Sequence, residues 1–102
     1  MYLVQLLLPL YDNDGRPFSR QQFDEVRHKL TEHFGGVTAY LRSPAVGVWK
    51  ESDHDVSQDD VVMFEVMSED LDESWWAQYR EELEKTFRQD EVLVRAITVR
   101  KL

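Results

Sequence analysis

The chain contains no cysteine. That removes disulfides, thiolate catalysis and cysteine-ligated zinc or iron–sulfur centres together, and it fits a reducing compartment. Glycine and proline are scarce, at four and three residues, and they never cluster into a linker. No repeat or low-complexity tract is visible. Basic residues are outnumbered: twelve Lys and Arg face twenty Asp and Glu, for a net charge of −8. That balance opposes nucleic acid and anionic membrane surfaces as partners. No apolar run is long enough to span a bilayer. The apolar start, Met1 to Leu8, has no basic region before it and no small-residue cleavage site after it, and so reads as a buried strand rather than a signal peptide.

Three catalytic signatures are missing as well: a glycine-rich phosphate loop, a serine elbow and a paired-carboxylate motif. Gly35-Gly36 leads into a strand and not into a helix, so it cannot cradle a phosphate on a helix N-terminus. Asp12-Asn13-Asp14-Gly15 opens like a calcium loop, but the place of its bidentate Glu is held by Phe23, and a turn is the better reading. His54 sits alone among acids. His28 and His33 are five residues apart and do not share a helix face, so both read as surface or boundary residues. Neither a metal nor a cofactor is expected.

What is present is a clear order of elements. With 102 residues there is room for one domain, burying roughly two-thirds of its unfolded surface. Residues 2–11 are rich in Leu and Val and suit a central strand. Ser19 and Gln22 form a capping box, and Phe18 and Phe23 a hydrophobic staple. Phe23, Val26, Leu30 and Phe34 then make a helical stripe that Gly35 ends. Val37 to Lys50 reads as a strand broken at Ser43-Pro44, which suits a sheet edge. A polar connection follows, and a third strand runs from Asp60 to Met67. Asp72 caps a second helix whose buried stripe is Trp76, Tyr79, Leu83 and Phe87. Glu81–Lys85 and Glu84–Arg88 are expected as exposed pairs adding roughly 0.2–0.5 kcal/mol each. Trp75 stands one residue off the stripe, at its rim. Residues 92–100 form the last strand.

The order strand, helix, strand, strand, helix, strand predicts an α+β, ferredoxin-like βαββαβ fold. It has a four-stranded antiparallel sheet with both helices on one face. Strand parity assigns Val4, Leu6, Leu8, Val37, Ala39, Leu41, Val62, Phe64, Val66, Val92, Val94 and Ala96 to the helix side. The open face then carries Leu3, Gln5, Leu7, Thr38, Tyr40, Arg42, Val61, Met63, Glu65, Met67, Leu93, Arg95 and Ile97. That face is too apolar for water. A second copy, sheet against sheet, is the expected cover.

Within the apolar face lies a polar set. Buried charges need partners, so Glu65 is expected to pair with Arg95 or Arg42. In a functional reading, Tyr40, Arg42, Glu65 and Arg95 orient a small polar ligand, Trp49 and Met63 wall its pocket, and Glu65 serves as acceptor or general base. In the alternative reading the face serves assembly alone. RNA binding by the open sheet is disfavoured, because the central strands lack the stacking aromatics it needs.

The stretch Phe34-Gly35-Gly36-Val37-Thr38-Ala39-Tyr40-Leu41-Arg42-Ser43-Pro44-Ala45, with Gly47 and Trp49 beyond it, resembles a signature of small uncharacterised bacterial proteins. The resemblance extends to Asp60–Met67 and Trp75-Trp76. It implies a bacterial cytoplasmic protein and no particular activity. The element order is also similar to that of the dimeric α+β barrel superfamily, which includes cofactor-free monooxygenases, lactone isomerases and haem-dependent enzymes. No catalytic motif of that group is present to carry over.

Overall fold

A computed structural model describes residues 1–42 and 60–102, with the side chains of all of these except 40–42. The elements are β1 (Tyr2–Pro9), α1 (Arg20–Phe34), β2 (Thr38–Arg42), β3 (Val61–Ser68), α2 (Glu73–Thr86) and β4 (Leu93–Thr98). The strands form one antiparallel sheet in the order β2-β3-β1-β4. This is the predicted ferredoxin-like topology, with β1 and β3 central. The expected break at Pro44, the polar connection and His54 lie outside the described residues.

The local signals act as read. The Ser19 side chain accepts from the backbone N–H of Gln22, and the Gln22 side chain accepts from the N–H of Ser19, closing the capping box. Phe18 and Phe23 both reach the ring of Phe87, with centroids 5.0 and 5.4 Å away. The staple thus ties the start of α1 to the end of α2. Gly35 ends α1 at φ 85, a left-handed conformation that costs an L side chain energy. Asp72 caps α2 through the N–H of Trp75.

Val4, Leu6 and Leu8 of β1 share a core with Phe64 and Val66 of β3, Val26 and Leu30 of α1, and Trp76, Tyr79 and Leu83 of α2. Both helices therefore lie on the face that parity assigned to them. At the sheet edges their cover thins. Ala39 and Ala96 face the helices yet remain exposed, because a methyl group on an edge strand cannot reach the helix above.

Several boundaries and pairs differ from expectation. β1 stops at Pro9, which has no N–H to donate. Leu10 then bonds Asp60, and Tyr11 turns aside to bridge Pro17. β4 is shorter at both ends than the expected 92–100. Among the described residues neither expected pair on α2 is formed. Glu84 turns back toward Arg80 at 3.8 Å and accepts from the N–H of Val92 at 3.1 Å. Arg88 lies past the helix end at φ 51, which swings its side chain to Asp12 at 3.8 Å.

The Asp12 turn is built by its own side chain. Oδ1 accepts from the N–H groups of Asp14 and Arg16, each at 2.9 Å. Those bonds, that of Arg16 foremost, hold its carboxyl below the usual range, aided by the charge of Arg88.

Candidate functional site

The open face is organised in rows. Register places Leu3 opposite Met67 and Ile97, Gln5 opposite Glu65 and Arg95, and Leu7 opposite Met63 and Leu93. Thr38 extends the middle row beyond Glu65. One polar row, Thr38–Glu65–Gln5–Arg95, therefore crosses all four strands between two apolar rows. Met67, Leu93 and Ile97 are 51, 44 and 44% exposed, whereas Gln5 beneath them is buried.

Gln5 joins the row chemically. Its Nε2 donates to Glu65 Oε2 at 2.6 Å, and its Oε1 accepts from Arg95 Nε at 2.7 Å. Of the two expected partners of Glu65, Arg95 is joined to it through Gln5 and not directly, and the Arg42 side chain lies outside the described residues. Glu65 and Arg95 sit on strands that flank β1, so a neutral amide stands between them and uses both of its ends. Among the described residues, the second oxygen of Glu65 and the terminal amino groups of Arg95 take no further side-chain partner. Among the described residues no buried side-chain polar atom lacks a partner.

One end of the row opens into a groove of about 470 Å³, lined by Leu3, Phe34, Gly35, Gly36, Val37, Thr38, Glu65, Val66 and Met67. Its lining is about as polar as it is apolar, and its charged group is the half-buried Glu65 carboxylate. The glycines that end α1 leave it open, since a Cβ on either would meet nothing within 4 Å. A second hollow, of about 310 Å³, runs between α2 and β4 over Trp76, Ala77 and Ala96.

Of the predicted site residues, the structure brings Glu65 to the groove and links it through Gln5 to Arg95. Met63 is 1% exposed and does not line this groove. Tyr40 and Arg42 occupy open-face register positions opposite Met63 and Val61, but their side chains lie outside the described residues, as does Trp49. Phe34 and Thr38 are groove residues that no sequence argument assigned to the site. The signal that could have found Thr38 was register, since it pairs with Glu65. Trp75 packs against the core beside Phe34 and Trp76 and is stacked on His33 at 4.1 Å between centroids. Among the described residues no group of three or more His, Asp or Glu could hold a metal ion. No described helix is long and apolar enough to cross a membrane.

No family model matches the sequence, and no curated protein matches it. Among solved structures, the chain is similar to a phage SAM lyase in complex with S-methyl-5′-thioadenosine. The TM-score is 0.60 at 15% identity, over 94% of this chain and 79% of that one. The two share a fold. At that identity the likeness extends to architecture and not to residues.

Proposed function

We propose that this protein is a homodimer, formed through the open sheet face, that binds a small molecule beside Glu65. One observation carries the reading: the Glu65 carboxylate lines a groove of mixed polarity with one oxygen tied to Gln5 and the other without a side-chain partner among the described residues. A carboxylate among Leu3, Phe34, Val37 and Met67 suits a ligand with a hydrogen-bond donor at one end and an apolar or aromatic body. The volume is in the range of small-molecule sites. The lack of cysteine supports a cytoplasmic setting.

S-methyl-5′-thioadenosine, the compound bound by the fold neighbour, is a suitable first probe because it combines donors with an aromatic ring. Titration calorimetry is expected to detect it, or another donor-bearing heteroaromatic compound. Glu65→Gln should weaken that binding by at least about tenfold, the effect of losing a hydrogen bond to a charged group. Equal binding to wild type and Glu65→Gln would overturn the site. A second reading is an assembly module, favoured by the hydrogen bonds that already tie Gln5 to both Glu65 and Arg95. It predicts a dimer to which no such probe binds.

A further inference from the structure

The open face carries more than a demand for cover, because its pattern selects how a second copy can sit on it. Sheets packed face to face lie about 10 Å apart with their strands roughly aligned. A two-fold axis between them can run across the strands or along them. An axis across the strands, through the polar row, lays each strand on its own copy. Glu65 then faces Glu65 of the partner subunit, and Arg95 faces the partner's Arg95. An axis along the strands between β1 and β3 sets Glu65 against the partner's Gln5 and Arg95 against the partner's Thr38, so neither charge meets its opposite. An axis along β1 gives a different result. β3 then lies over the partner's β4, each row lies on the same row, and Glu65 meets the partner's Arg95 on both sides.

We propose that two copies pair about a two-fold axis along β1, with Arg95 of each reaching Glu65 of the other. This rests on the proposed association through the open face and adds its geometry. Two features of the single chain support it. Glu65 and Arg95 flank β1 one strand away on either side, each held by Gln5 and by no other side chain among the described residues. The exposed apolar residues flank it too, with Met67 on β3 and Leu93 and Ile97 on β4. Met67 and the partner's Ile97 would cover one another beside Leu3. Charge complementarity of this kind sets register and excludes other pairings.

The arrangement also completes the groove. The partner's β4 roofs Glu65 and Met67, and the groove stays open toward β2, which extends past the partner sheet. A ligand there meets a carboxylate from one copy and a guanidinium from the other. The class it favours is a molecule with a donor or cationic group at one end and an anionic or acceptor group nearby, such as a zwitterion.

The natural absence of cysteine makes the test direct. Leu3 lies on the axis, so Leu3→Cys should cross-link to its own copy with a short bis-maleimide in high yield. Met67→Cys alone should cross-link poorly, but mixed with Ile97→Cys it should give the hetero-linked pair. Glu65→Arg and Arg95→Glu should each weaken self-association at least tenfold by light scattering, and mixing the two should restore a dimer. A wild-type monomer at micromolar concentration would overturn the association itself. A wild-type dimer whose Leu3→Cys variant does not self-link, or which links Leu3→Cys to Leu7→Cys instead, would overturn the axis and leave the association standing.

Discussion

Leu6 and Leu7 are neighbours in β1 and point to opposite sides of the sheet. Leu6 is 0% exposed beneath the helices, whereas Leu7 is half-buried on the face without them. The contrast runs through the whole sheet. On the helix side, Leu6 meets Phe64 and Val94 across the strands, and aromatic rings from both helices close over them. On the other side, Leu3 meets Met67 and Ile97, both exposed. The helix face is apolar without interruption because its cover comes from the same chain. A polar row interrupts the open face, and such a row specifies orientation more than it adds stability. Similar hydrophobicity thus serves folding on one side and recognition on the other.

The largest expected break in that contrast is on the helix side. Phe64→Ala should cost about 3–5 kcal/mol of unfolding free energy by chemical denaturation, through the cavity it leaves. A loss under about 1 kcal/mol would show that the helices do not pack as described. On the open side, Gln5→Leu keeps the volume but removes the hydrogen-bond partner that Glu65 and Arg95 share. It should cost about 1–3 kcal/mol, since a buried partner of each is removed. Ser19→Ala should cost about 1 kcal/mol by opening the capping box, and Gly35→Ala a similar amount, as its Cβ has space but its backbone is left-handed.

Acid provides a subtler probe. The carboxyl of Asp12 is held below its ordinary value of 3.8. Its contribution is therefore fully present above that value and lost as pH falls through the lower native one. Asp12→Asn should be less stable than wild type at neutral pH, and the gap should narrow below pH 3.8. A gap that is constant with pH would assign the effect to turn geometry alone. The smallest change is expected from Met67→Lys, which should alter monomer stability by no more than about 0.5 kcal/mol while abolishing association. Unchanged association in that variant would break the comparison between the faces.

The caps, the two helical stripes and the order of elements were all legible, because each depends on residues within a few positions of one another. Strand parity was legible for the same reason, and it divided the faces correctly. Pairs at helix ends were less so. Glu84 and Arg88 have the right spacing, but α2 ends between them, and Arg88 leaves in a left-handed turn toward Asp12. The groove was only half visible. Glu65 stood out as a charge in an apolar strand, whereas Phe34 had already been assigned to a helical stripe.

By itself the sequence determined that this chain builds a βαββαβ sheet with one face in excess of apolar residues. Alternation, capping and composition are local and act before the chain folds. The tertiary structure decided that Gln5 lies between Glu65 and Arg95 and bonds both, across separations of 60 and 90 residues. Such contacts depend on how strands distant in sequence align, and a slip of one residue would turn each side chain to the other face. Register therefore converts four scattered polar residues into one row, and that row gives the open face a direction.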